Sequence, residues 1–210
     1  AICVYPNFVP VVKEKLTAKN VRISSVAGAF PSSQTFRTIK VDECKMAKDN
    51  GAEEIETVIP VGSFLGSDYA FVAEEIREIK KAIGDTTLKV IIESGLLVSR
   101  ELIFKASTIA MDAGADFIKT STGKTNISAT PEAAFIMCQA ISDFYSETGI
   151  KVGFKASGGI VSAAEAFTYY QIVNYCLGDE WLNNNYFRIG SSRLANNILS
   201  EIAGERHDHF

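Results

Sequence analysis

Gly114-Ala115-Asp116-Phe117-Ile118-Lys119-Thr120 echoes an earlier stretch, Gly51-Ala52-Glu53-Glu54-Ile55-Glu56-Thr57, and the spacing from 56 to 119, 63 residues, decides the fold. A weaker echo pairs Lys89-Val90-Ile91-Ile92-Glu93-Ser94 with Lys151-Val152-Gly153-Phe154-Lys155-Ala156, 62 residues apart from 93 to 155. Each spacing is two strand–helix units. In a closed barrel, alternate strands feed the same interior layer, so Glu56 and Lys119 are expected at matching heights, and Glu93 and Lys155 likewise. Side chains alternate along a strand. Ile55, Ile118 and Phe154 then face the helices, while Glu56, Lys119 and Lys155 face inward at the carboxyl ends, where barrel active sites form.

Outward from these repeats the pattern continues. β-rich runs at Ala1–Tyr5, Val21–Val26, Glu54–Ile59, Leu88–Glu93, Asp116–Thr120, Lys151–Lys155 and Tyr186–Ile189 are near-continuously apolar. That is the mark of strands buried on both faces of a parallel sheet. Between them the apolar period lengthens to about 3.6 residues. Val72, Ile76, Ile79 and Ile83 form a stripe closed by Gly84, and Leu102, Ile103, Ala106, Ile109 and Ala110 another, with Ser99 as N-cap and Gly114 at the stop. Thr130-Pro131 starts a helix that runs through Phe144 to Gly149. Strand–helix alternation means a parallel α/β sheet. No G-x-G-x-x-G follows the first strands, which weakens a doubly wound nucleotide-binding sheet against a (β/α)8 TIM barrel. Seven strands are read; the first β/α unit is expected to be missing from this chain, which is read as incomplete. No linker or composition break divides residues 1–210, so one barrel domain is expected.

The chain has 210 residues, 47% hydrophobic and 22% charged, with a net charge of −4. This excludes a disordered chain and argues against nucleic acid, which selects basic surfaces. No run approaches ~18 apolar residues, so no membrane span is expected. Cys3, Cys44, Cys138 and Cys176 form no C-x-x-C pair, and only His207 and His209 could join them. Reduced thiols in a cytoplasmic protein, and no metal site, are expected.

Charges inside a barrel are costly unless paired, so for any one of Glu56, Lys119 and Lys155 a structural ion-pair layer competes evenly with a functional role. Two lysines on adjacent strands favour function. Like charges side by side disfavour each other's ionisation, and a neutral amine near pH 7 is what a Schiff-base nucleophile requires. After the sixth and seventh strands come Ala156-Ser157-Gly158-Gly159-Ile160 and Gly190-Ser191-Ser192-Arg193. Barrels bind phosphate with these two loops and a helix N-terminus. Either loop alone is an ordinary turn or cap; together they suggest a phosphate site, with Lys124 of Thr122-Gly123-Lys124 as an added cation or, equally, a solvated loop residue.

At these residues the sequence resembles a known family. Asp116–Lys124, with Val152–Gly159, Ala1-Ile2-Cys3-Val4-Tyr5-Pro6 and Lys89–Glu93, is similar to the class I aldolases of the 2-deoxyribose-5-phosphate aldolase family, in order from residue 1 to about residue 200. The resemblance implies a (β/α)8 barrel and reversible cleavage of 2-deoxy-D-ribose 5-phosphate to D-glyceraldehyde 3-phosphate and acetaldehyde, in deoxyribonucleoside and carbohydrate catabolism. It implies a phosphosugar substrate, no cofactor beyond the covalent lysine, and admits a homodimer. It makes Lys119 the Schiff-base lysine, Lys155 its neighbour in the proton relay, and Glu56 the third catalytic carboxylate. Gly158, Gly159, Gly190, Ser191 and Ser192 fall in the phosphate loops, Lys124 near the phosphate, and Cys3 on the substrate side. The chain departs from the family in having Glu56 for the usual aspartate, Arg193 for the second loop serine, and Phe210 where some members end in tyrosine. Its other departure is the absent first strand and helix. Two other readings stay open: a different phosphosugar aldolase of the same class, separable by donor specificity, and a catalytically silent phosphosugar-binding barrel, separable by the absence of a reducible adduct.

Overall fold

The computed structural model describes residues 1–208; the reading made at Phe210 lies outside them. Among the described residues seven strands, β1 (Ile2–Val4), β2 (Ile23–Val26), β3 (Glu54–Val58), β4 (Thr87–Ile91), β5 (Phe117–Lys119), β6 (Gly153–Ser157) and β7 (Phe187–Gly190), alternate with helices and follow chain order in the sheet. The register is parallel, with Glu56 opposite Lys89 and Lys155 opposite Arg188. This is the repeating α/β architecture of a TIM barrel. Every strand expected from apolar runs is present, β6 displaced two residues toward the carboxyl end because Gly153–Ser157, not Lys151, makes the ladder.

Three of the larger helices carry the stripes and the cap read in the sequence. The larger helices are α2 (Arg37–Asp49), α4 (Tyr69–Ile83), α5 (Arg100–Asp112), α6 (Pro131–Thr148), α7 (Ala163–Leu177) and α8 (Leu194–Ala203), with short α1 (Val9–Lys15) and α3 (Val61–Leu65). Thr130 caps α6 by accepting from Ala133 N–H at 3.1 Å, and Ser99 accepts from Leu102 N–H at 3.2 Å at the start of α5. No helix among the described residues is long and apolar enough to cross a membrane.

Two compact units divide the chain: Ala1–Ile92 with Thr108–Ile118, and Glu93–Ser107 with the chain from Lys119 onward. The first has a core of Ile55, Ile59, Phe64, Ile79, Ile83, Leu88 and Ile118, all under 2% exposed. The second is built on Met137, Ile141, Phe154 and Val173. Each holds one fully buried thiol, Cys44 and Cys138 respectively.

The first unit explains the sequence repeat. After α2, Gly51 at φ 116° reverses the chain; after α5, Gly114 at φ 99° does the same. Ala52 and Ala115 then each donate their N–H back into the helix, to Ala47 and Ala110 at 3.0 Å. The acidic residue that follows turns its carboxylate onto the neighbouring strand. Glu53 accepts from Ile23 N–H at 2.9 Å, and Asp116 from Leu88 N–H at 2.7 Å. The repeated G-A-[DE] is therefore one helix-to-strand joint used twice, and the acid satisfies a strand-entry donor that would otherwise lack a ladder partner.

The same unit buries an ion pair. Lys40 on α2, 1% exposed, donates to both Glu75 oxygens on α4 at 2.7 and 2.9 Å and to Ser33 Oγ at 2.7 Å. Ser33, in the loop after β2, donates its own hydroxyl hydrogen bond to the Val58 carbonyl at 2.7 Å.

Candidate active site

β5 ends on Lys119 and β6 carries Lys155 at its middle, and the hydrogen bond from Thr120 N–H to the Lys155 carbonyl at 3.1 Å sets these two residues side by side in the second unit. Thr120 adds a second tie: its hydroxyl accepts from Ser157 N–H at 3.0 Å and donates to the Ser157 carbonyl at 3.2 Å. The lysines are only 4% and 7% exposed. Two amines this deep, on neighbouring strands, are costly as bare charges. The expected adjacency is thus present.

Gly190 makes room for Lys155. A Cβ there would lie 2.9 Å from Lys155 Cε and 2.7 Å from Ser157 Oγ, closer than real Cβ contacts come. The aminobutyl stem of Lys155 therefore crosses the end of β7, over a residue that can only be glycine without displacement.

The loops beyond β5, β6 and β7 converge. Gly158 and Gly159 both have positive φ, 89° and 80°. Gly158 donates to the Gly190 carbonyl at 3.3 Å. A Cβ on Gly158 would meet Ser128 Oγ at 2.6 Å and Gly123 Cα at 3.0 Å, so the Gly123–Lys124 loop lies directly against it. Beside Gly159 the space is open for 4 Å. Ser191 Oγ donates to the Ile160 carbonyl at 2.7 Å and accepts from Leu194 N–H at 3.2 Å, tying two loops together at the start of α8. Its hydroxyl is occupied by this structural task; Ser192, Arg193 and Lys124 are exposed. Backbone N–H groups at glycines, a helix N-terminus and cationic side chains are the kinds of group that bind a dianionic phosphate.

Glu56 and Cys3 belong to the first unit. Glu56, fully buried, receives Ser24 Oγ–H at 3.2 Å and Lys89 Nζ at 3.4 Å. Lys89 also pairs with buried Glu54, whose other oxygen lies 3.6 Å from Arg22. An ion-pair layer thus exists around Glu56, as one of the two sequence readings holds. Sequence reasoning missed its other members, Lys89 and Glu54. The signal was there: Glu54 and Glu56 share a face by alternation, and Lys89 interrupts the apolar run of the next strand. Cys3 is exposed on β1, opposite Ser24.

Three of the thiols are poor candidates for the nucleophile. Burial pushes Cys44 up to about 12, Cys138 well above the usual thiol range, and Cys176 upward as well. Among the described residues no cluster of three His, Cys, Asp or Glu side chains could hold a metal ion. The second unit thus brings two buried amines and a set of glycine-rich loops together. That combination is able to form an imine with a carbonyl compound and to hold its phosphate.

The chain is similar to known proteins over most of its length. The family described as DeoC/LacD family aldolase matches residues 1–170. The human deoxyribose-phosphate aldolase is 43% identical over 204 residues, covering 96% of this chain, and that of Bos taurus is 42% identical over the same length. This chain spans 64% of the length of each of these relatives. Among solved structures, "QR15, an Aldolase" superposes with a TM-score of 0.76 at 29% identity, covering 98% of this chain and 84% of its own. A tetrameric deoxyribose phosphate aldolase from Aeropyrum pernix, 24% identical, shares the fold with a TM-score of 0.74 over 96% of this chain and 76% of its own.

Proposed function

This chain belongs to the DeoC/LacD aldolase family, and on that premise we propose that it cleaves 2-deoxy-D-ribose 5-phosphate reversibly to D-glyceraldehyde 3-phosphate and acetaldehyde. The observation that carries the proposal is the pair of buried lysines, Lys119 and Lys155, set side by side by the β5–β6 hydrogen bond.

The amine of Lys119 attacks C1 of the open-chain sugar, and loss of water gives an iminium. The C3 hydroxyl gives its proton to a base, a role assigned to Glu56 acting through water. The C2–C3 electron pair moves toward the iminium, the bond breaks, and glyceraldehyde 3-phosphate leaves. The remaining enamine takes a proton at C2, and water hydrolyses the resulting imine to acetaldehyde and free Lys119. Lys155 serves the proton transfers beside the imine nitrogen. The loops at Gly158, Gly159, Gly190 and Ser192, with Lys124, hold the phosphate and so keep C1 within reach of the amine. The lysine is the only covalent catalyst in the sequence of steps. Four cysteines scattered with no C-x-x-C pair accord with a reduced, cytoplasmic setting.

Borohydride reduction in the presence of 2-deoxyribose 5-phosphate, followed by peptide mapping, tests the assignment. A stable adduct on Lys119 is expected. An adduct on Lys155 alone, or none with a protein that binds the sugar, refutes it.

A further inference from the structure

Glu93 has no part in the chemistry above, yet its surroundings are unusually committed. It follows β4 in left-handed backbone geometry, φ 52° and ψ 56°, which few residues other than glycine adopt without cost. Its side chain is buried, and its carboxylate faces a single loop. Oε1 accepts from Thr122 N–H at 3.2 Å and Thr125 Oγ1 at 3.4 Å; Oε2 accepts from Thr122 Oγ1 at 2.6 Å. Thr122 Oγ1 in turn accepts from Lys124 N–H at 3.0 Å. One carboxylate thus fixes the backbone of the residue that leads to Lys124, at one remove.

The loop is held by close contact on both sides as well. A Cβ on Gly95 would sit 2.1 Å from the Ile127 carbonyl oxygen. A Cβ on Gly158 would sit 2.6 Å from Ser128 Oγ and 3.0 Å from Gly123 Cα. Residues 122–128 are therefore wedged between two glycine backbones and secured by Glu93.

We propose that Glu93 is a positioning residue for the substrate's phosphate: it touches no reacting atom and holds Gly123 and Lys124 against the Gly158–Gly159 loop. The inference rests on the aldolase reading above. It makes a demand that a general structural role does not, because the loss on removing Glu93 must depend on the substrate carrying a phosphate.

The test compares 2-deoxyribose 5-phosphate with unphosphorylated 2-deoxyribose for the wild type, Glu93→Gln and Gly95→Ala. Glutamine keeps the shape but turns a donor toward Thr122. Alanine at 95 displaces the loop from its other side, and carries the test should Glu93→Gln not fold by circular dichroism. For either variant KM for the phosphorylated sugar is expected to rise about tenfold or more, the scale of one charge-assisted hydrogen bond. Its kcat, and kcat/KM for plain deoxyribose, should stay within about threefold of wild type, since binding energy at the phosphate alone is lost. An equal loss on both sugars, or an unchanged KM, overturns the role of Glu93 while leaving the aldolase standing. A wild type that turns over neither sugar refutes the aldolase reading, and this inference with it.

Discussion

Replacing Lys40 with methionine keeps the length of the buried side chain and removes its charge. Glu75 then loses the donor that reaches both its oxygens, at 2.7 and 2.9 Å, in a place where Lys40 is only 1% exposed. Stranding one member of a buried pair costs about 3–5 kcal/mol, most of it the desolvation of the charge left behind. For a chain of this size that is a fall in melting temperature of roughly 6–20 °C. The deficit has a pH signature. Burial raises the Glu75 carboxyl, and the hydrogen bond and charge of Lys40 oppose that rise. A carboxyl raised in the fold contributes stability that is present below its unfolded value and lost as pH climbs through its folded one. Without Lys40 the folded value climbs further, so Glu75 takes up a proton and the deficit shrinks on acidification. The assay is urea unfolding followed by circular dichroism at pH 8 and pH 5. Lys40→Met should show the full loss at pH 8 and a smaller one at pH 5. The double variant Lys40→Met/Glu75→Leu should recover most of it, because an apolar pair replaces a buried ionic one at little cost. A Lys40→Met protein within about 1 kcal/mol of wild type at pH 8, or a double variant less stable than the single, would refute the reasoning.

The catalytic assignments give sharper, local expectations. Lys119→Ala should abolish turnover and borohydride labelling, while Lys155→Leu, read by steady-state kinetics, should cost about two to four orders of magnitude in kcat, the range of a proton-transfer group. Glu56→Gln should slow C–C cleavage by about 10²-fold or more with imine formation in single-turnover trapping less affected; equal slowing of both steps would remove Glu56 from the base role. Gly190→Ala would press a methyl group onto Lys155 Cε, 2.9 Å away, and Ser157 Oγ, 2.7 Å away. A displacement of order 1 Å at a catalytic group costs about 10²-fold, so kcat should drop accordingly with the fold intact by circular dichroism.

The strands were legible because burial on both faces leaves an unbroken apolar run, and β3, β4 and β5 show it plainly. Helices α4, α5 and α6 announced themselves by stripe and cap. α1 and α3 did not: seven and five residues are too few for a period to show. Lys119 and Lys155 stood out because a lysine inside an apolar strand is harder to explain blandly when its neighbour is another lysine. Lys40 and Glu75 were invisible for the opposite reason. On a helix an ionisable residue reads as solvated, and the partner of Lys40 lies 35 residues away, where no local pattern points. Glu93 was quoted as part of a strand echo, but its left-handed turn takes it out of the strand and into the loop beyond.

The two buried thiols have a practical consequence. Cys44 in one compact unit and Cys138 in the other are shielded from solvent, and burial keeps both protonated, so an alkylating reagent reaches either only when its surroundings open. Each is in effect a stopwatch placed in its own half of the molecule. Reading their labelling by mass spectrometry would reveal whether the two units open in one cooperative event, with a shared rate, or in succession, with two.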